Sequence, residues 1–197
     1  MSSTKKSTRR TRKRRTETAA DRLPGDPDRE TLLARIIRVD HAGEHGAARI
    51  YDGQLAVLGD RPAGAVIRRM AEKERRHLDT FDRLMVERRV RPTALSPVWH
   101  VAGFALGAAT ALMGERTAMA CTVAVEEVID EHYARQAARL GDDEAELRGT
   151  IEDFRADEIE HRDIGLDHGA EDIPGYRALT AAIKAGSRLA IWLSSRL

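Results

Sequence analysis

The sequence predicts an all-α protein: a four-helix bundle with two additional helices, one of them expected to lie in a membrane interface. Three observations lead there. The composition is helix-forming, dominated by Ala, Leu, Arg and Glu, with only 4% aromatic residues. Apolar residues recur at alternating steps of three and four through segments of twenty or more residues. Two Glu-x-x-His stretches, Glu74-Arg75-Arg76-His77 and Glu158-Ile159-Glu160-His161, interrupt two of those apolar seams.

The 197 residues suit one domain with a sizeable core. The formal net charge of +1 hides an uneven split. Eight of the first sixteen residues are Lys or Arg and none is acidic, which leaves 25 basic against 32 acidic residues, net −7, in the remainder. Residues 1–28 lack apolar periodicity and end in Pro24-Gly25-Asp26-Pro27, so they are expected to form a basic disordered tail. The tail has no apolar stretch of the secretory kind. Its charge suits an anionic membrane surface at ~1 kcal/mol per residue. No aromatic residue is interleaved with the basic ones, so no nucleic-acid partner is expected. The single cysteine, Cys121, rules out an intramolecular disulfide and is expected in the core.

The folded part, 29–197, opens with a helix over Arg29–Leu58, whose inward positions read Leu33, Ile37, His41, Glu44, Ala48, Tyr51, Leu55 and Leu58. Around Glu44 the small residues Ala42, Gly43, Gly46, Ala47 and Ala48 leave room for another molecule. Gly59 closes this helix, with Asp60 as the expected N-cap of a second, over about 61–88. That helix carries Glu74 and His77 on the seam Ile67, Met70, Phe81, Leu84. A third helix is expected from the Ser96-Pro97 pair, with Ser96 as N-cap and Pro97 as first helical residue. From Pro92 to Gly114 there is no Asp, Glu, Lys or Arg. Three readings of that run are open: a buried core helix, a helix lying on a membrane surface, and a marginal span, since a span needs ~20 apolar residues.

A fourth helix over about 115–140 places Met119, Thr122, Glu126, Ile129, Tyr133 and Leu140 on one face, with Glu127 pointing away. A fifth, over about 143–166, carries Glu158 and His161 on the seam Ile151, Phe154, Gly165. After Asp172-Ile173-Pro174-Gly175 a sixth helix has a stripe of Leu179, Ile183, Gly186, Ala190, Leu193 and Leu197. Trp192, Arg188 and Arg196 near its end suit a membrane boundary or an ordinary surface.

A carboxylate on a core-facing seam is costly unless it is paired or bound to a metal. Here there are four, in the order Glu44, Glu74 with His77, Glu126, Glu158 with His161, and the two halves repeat one pattern with gaps of 30 and 32 residues. A Glu from each of two helices and a Glu-x-x-His from each of two others is the ligand set of carboxylate-bridged dimetal bundles. Four carboxylates balance two divalent ions, and oxygen donors with one imidazole per metal favour iron or manganese. Glu74 and Glu158 are expected to bridge, with Glu44 and Glu126 terminal. Asp40 and Asp130 are candidates for holding the far nitrogens of the two histidines. Tyr51 and His132 are candidate catalytic residues, as proton relays or as support for the ligands.

The blocks Arg38-Val39-Asp40-His41-Ala42-Gly43-Glu44, Gly103-Phe104-Ala105-Leu106-Gly107, Ala124-Val125-Glu126-Glu127 and Glu158 through His168 resemble the demethoxyubiquinone hydroxylase family (Coq7, Clk-1, Cat5). The resemblance covers about Leu32 to Leu197, with all six ligand positions filled, and departs at His45, where Tyr is expected. His45 falls off the ligand face and is not counted as a third imidazole. The resemblance implies a ferritin-like di-iron monooxygenase that hydroxylates a polyprenylated methoxy-benzoquinone in ubiquinone biosynthesis. It implies two iron ions, dioxygen as co-substrate, and an external reductant such as NADH. No nucleotide fingerprint is present, so Arg35, Arg38 and Arg196 are the groups available for a nicotinamide's phosphates. It also implies a peripheral membrane protein, on the cytoplasmic face if bacterial or the matrix side of the mitochondrial inner membrane if eukaryotic. A lipid-binding partner protein or a homo-oligomer is expected with it. The rivals are ferritin-like iron storage or detoxification, a dimanganese catalase or peroxidase, and a metal-free helical adaptor at a membrane.

Overall fold

A computed structural model describes residues 27–197, and the expected basic tail lies outside them but for its last two residues. Six α-helices follow in order: α1 Arg29–Leu58, α2 Gly64–Glu87, α3 Ser96–Leu112, α4 Glu115–Ala137, α5 Ala145–Asp167 and α6 Tyr176–Ser194. No strand occurs among the described residues. Asp28, assigned to the tail from sequence, caps α1 instead: its side chain accepts from the Thr31 N–H at 2.7 Å.

Helices α1, α2, α4 and α5 form the bundle; α3 lies along α1, and α6 packs on α4. The seams behave as their periodicity requires. Ile67, Met70, Glu74, His77 and Phe81 of α2 are all buried, as are Ile151, Glu158, His161 and Gly165 of α5. Two caps differ from expectation. Asp60 caps nothing, because turns occupy 59–63 and Ala63 stands at the α2 N-cap. Ser96 is already helical, with Leu95 at the cap, and its hydroxyl donates to the Thr93 carbonyl at 2.9 Å.

Helix α4 is not one-faced. Thr117 through Glu126 are buried without a break, since α5 covers one side while α3 and α6 cover others. An unbroken run of buried residues marks the central helix of the molecule.

Helix α3 meets α1 through glycine. A Cβ on Gly103 would lie 2.8 Å from the Gly46 carbonyl oxygen, and one on Gly107 would overlap the Ile50 carbonyl. Only a residue without a side chain allows this approach. The opposite face of α3 stays open, with Val98, Val101 and Leu112 exposed, as are Leu189 and Trp192 of α6. The fully buried reading of the charge-free run is therefore incorrect. Among the described residues no helix is long and apolar enough to cross a membrane.

Candidate metal centre

At mid-bundle α1 and α4 each contribute one glutamate, and α2 and α5 each a Glu-x-x-His. The helical rise of 1.5 Å per residue puts residues three apart on one face, so each Glu–His pair reaches the same point. Two donor sets result: Glu44, Glu74, His77 and Glu158, and Glu74, Glu126, Glu158 and His161, each with its ligand atoms within 4.8 Å of one another. Glu74 and Glu158 belong to both. All six residues are at most 1% exposed.

The imidazoles face inward through Nδ1. His77 Nδ1 lies 3.2 Å from Glu158 Oε1 and 3.4 Å from Glu44 Oε2. His161 Nδ1 lies 3.0 Å from Glu74 Oε1 and 3.3 Å from Glu158 Oε2. These are short approaches, yet both Nδ1 atoms, both oxygens of Glu74 and of Glu158, and Glu44 Oε2 and Glu126 Oε2 lack a hydrogen-bond partner. Buried polar atoms are rarely left so. Lone pairs that converge on a common point without pairing suit cations of multiple charge, and hard oxygen donors with one imidazole per set suit iron or manganese.

Without metal, the buried acids and imidazoles shift one another's proton affinity. Burial pushes Glu44 up to about 8, opposed by His77 and reinforced by Glu74 and Glu158. Burial, with Glu158 and Glu74 adding, raises Glu126 well above the carboxylate range. Burial opposes charge on His77 and His161, but the facing glutamates outweigh it and raise them to about 11 and about 9. Burial also works against Glu158, yet His161 and His77 beside it draw its pKa down.

Two tyrosines brace Glu44 and Glu126. Tyr51 donates to Glu126 Oε1 at 2.8 Å, and Tyr133 donates to Glu44 Oε1. Tyr51 therefore reaches across to α4 rather than back along α1. The helical period marks Tyr133 only as an inward residue and does not tell which glutamate it meets. His77 Nε2 lies 3.1 Å from Asp157 Oδ2, and Lys73 Nζ donates to the other oxygen of that carboxylate, Oδ1, at 2.7 Å. Asp40 and Asp130 do not serve the ligand histidines: Asp40 faces His132 Nε2 at 3.3 Å and Gln136, and Asp130 pairs with Arg155. The helical period does not mark Asp157, because it neighbours Glu158 and adjacent helical residues do not share a face. His132 likewise sits with Asp40 and Gln136, not with Glu126. Glu127 points outward to Lys184 of α6, as expected. His41, placed inward from sequence, is instead on the α1–α2 edge, 3.0 Å from Asp82. Arg38 is held by the Arg91 carbonyl and Arg196 stacks on Trp192.

An apolar cavity of about 660 Å³ opens between α1, α3, α4 and α6 and ends on this group. Glu44, Tyr133, Asp40 and His132 form its polar end, and Ala42, Gly43, Gly46 and Ala47 line it on α1. Val39, Ile50, Leu106, Val125, Ile129 and Ile183 make apolar walls, and Trp99, Leu189 and Ile191 lie toward α3 and α6.

The family model described as "Ubiquinone biosynthesis protein COQ7" matches residues 31–194. The chain belongs to the demethoxyubiquinone hydroxylase family. It is 60% identical over 182 residues to the 3-demethoxyubiquinol 3-hydroxylase of Rhodospirillum rubrum, covering 92% of this chain and 86% of that one. It is 57% identical over 167 residues to the human mitochondrial NADPH-dependent 3-demethoxyubiquinone 3-hydroxylase, covering 83% and 77%. The yeast 5-demethoxyubiquinone hydroxylase, also mitochondrial, is 40% identical over 183 residues, covering 84% and 78%. In a family of hydroxylases the glutamate–histidine group at the end of a greasy cavity is a candidate active site.

Proposed function

We propose that this chain is a di-iron monooxygenase that hydroxylates a polyprenylated demethoxyubiquinone-type ring in ubiquinone biosynthesis. The observation that carries the proposal is the pair of buried donor sets, sharing Glu74 and Glu158, at the end of an apolar cavity. Glu44, Glu74, His77 and Glu158 would hold one ion and Glu74, Glu126, Glu158 and His161 the other. Bound there, the two irons supply the electron-transfer chemistry that activates dioxygen.

The chain's own residues do the rest. The apolar walls take the ring and the first isoprene units and exclude water. Tyr133 and Tyr51 fix the carboxylate planes of Glu44 and Glu126. Ring hydroxylation consumes one dioxygen, two electrons and two protons and releases one water, so the cavity must carry protons. His132, lining the cavity with Asp40 and Gln136 behind it, is the relay at its polar end, while Tyr51, bonded to Glu126, supports a ligand. The electrons come from a reduced nicotinamide or from the reduced quinone; the human relative carries NADPH dependence in its name. The exposed apolar residues of α3 and α6 flank the cavity and suit a peripheral seat on the membrane that holds the quinone.

Anaerobic titration with ferrous iron tests the reading, with saturation expected at two ions per chain. Many more would favour iron storage, and none in a folded protein would sink the ligand assignment. Asp157→Asn should leave the count at two but weaken iron retention about 10–100-fold against a competing chelator, because the charge behind His77 raises its basicity. Unchanged retention would remove Asp157 from the site.

A further inference from the structure

Away from the glutamates, three histidines that the proposed hydroxylation does not use run in a row from the α1–α2 edge to α3. His41 and His45 stand four residues apart on α1, so they leave the same face one turn apart. His100 projects from the first turns of α3. The His45 and His100 ring centroids are 5.5 Å apart, and those of His41 and His45 are 6.5 Å apart. Two imidazoles sharing a zinc ion at ~2.0–2.1 Å from each nitrogen hold their centroids about 5–6 Å apart; the His45–His100 pair already stands at that spacing, and the His41–His45 pair must close slightly to reach it. We propose that His41, His45 and His100 form a separate site for one imidazole-preferring divalent transition ion of the zinc, copper or nickel class.

The frame is already rigid. Gly46 and Gly103 bring the two backbones into contact beside the cluster, and Arg49 Nε donates to the His100 carbonyl at 3.4 Å. His41 is prepared as a ligand: Asp82 Oδ1 stands 3.0 Å from its Nε2, and its Nδ1 is buried with no hydrogen-bond partner. A carboxylate on one ring nitrogen fixes the proton there and frees the lone pair on the other, as behind metal-bound histidines generally. The rings now stack at interplanar angles of 16° and 28°. Bringing their in-plane lone pairs together requires the side chains to rotate, and χ2 of an imidazole is a soft torsion. His100 is exposed and free to make it. Borderline-soft ions favour three imidazoles, whereas the glutamate-rich centre favours harder ones, so one chain sorts two kinds of metal. An ion held here ties α3 to α1 and braces one wall of the cavity.

The test uses the iron-loaded full chain dialysed anaerobically against zinc ions, with zinc and iron counted per chain. The wild type should bind one zinc more than the His45→Gln/His100→Gln double variant, with iron unchanged in both. His100→Gln alone, at an exposed position, should weaken zinc binding at least about tenfold, a factor worth ~1.4 kcal/mol. Zinc should raise the unfolding temperature of the wild type only. Equal zinc in wild type and double variant, or a zinc gain matched by iron loss, overturns the site. The separate iron count tells this failure from failure of the di-iron reading.

Discussion

Glu126→Gln is expected to leave the metal-free bundle at least as stable as the wild type while lowering hydroxylation at least ~100-fold, since even residues behind metal ligands contribute 10–100-fold. Burial, Glu158 and Glu74 raise the Glu126 carboxyl well above the usual carboxylate range when no metal is present, which favours its neutral form. Glutamine copies that neutral acid, and its carbonyl can still accept from Tyr51. What it cannot supply is the anionic oxygen that a cation needs. The pH dependence follows from the same groups. Glu44 at about 8, Glu74 and Glu126 retain protons above their unfolded value of 4.5. His77 at about 11 and His161 at about 9 do so above 6.5. The folded metal-free chain thus binds more protons than the unfolded one between about pH 4.5 and 8. Its stability is greatest at the acid end and falls as pH rises through that window. Glu158, drawn down, acts oppositely but only below its unfolded value of 4.5. Urea unfolding of chelator-treated protein should give a negative slope with pH, shallower in Glu126→Gln. A metal-free wild type more stable at pH 8 than at pH 5, or a glutamine variant of wild-type activity, would refute this account.

Gly107→Ala should have the largest effect of any single methyl added to the chain. Its Cβ would fall on the Ile50 carbonyl, 2.8 Å from the carbon and 3.0 Å from the Cα. Nothing there is the flexible end of a side chain, so α3 must lift from α1 as a unit. Overpacking of this kind costs about 1–3 kcal/mol, or roughly 2–12 °C in unfolding temperature for a chain of this size. The lifted helix carries Trp99, Gly103 and Leu106 of the cavity wall. A raised KM with an unchanged metal count should accompany the thermal shift. A variant with wild-type melting would mean that α3 is not seated against α1 as described.

The gathering of the glutamates and histidines was legible in sequence because their chemistry overrides their surroundings. A glutamate among Ile67, Met70 and Phe81 has no bland explanation, and the repeat of the pattern at Glu126 and Glu158 fixed which helices face one another. The α1 boundaries, Arg29–Leu58, were legible for similar reasons, as an apolar stripe ending in glycine. What failed were features that period does not encode. Helix α4 reads as one-faced because Ala118, Ala120 and Ala124 are small enough to be buried or exposed without changing the pattern. Asp157 touches His77 across two helices, and Tyr133 crosses from α4 to Glu44. Asp60 and Ser96 are residues that cap helices elsewhere, displaced here by the local turns. His41 shares the step of Ile37 and Glu44 yet tilts to Asp82, because a stripe is wider than one residue.

The open apolar faces of α3 and α6 have a consequence for how rates should be expressed. Both helices wall the cavity, so on the proposed reading a quinone dissolved in lipid enters without crossing water. Its effective concentration is then a mole fraction within the bilayer. Adding more vesicles at fixed total quinone dilutes the substrate, even though the amount per litre is constant. For such an enzyme, catalysis is governed by a two-dimensional density, and the cell can throttle it by changing membrane area alone.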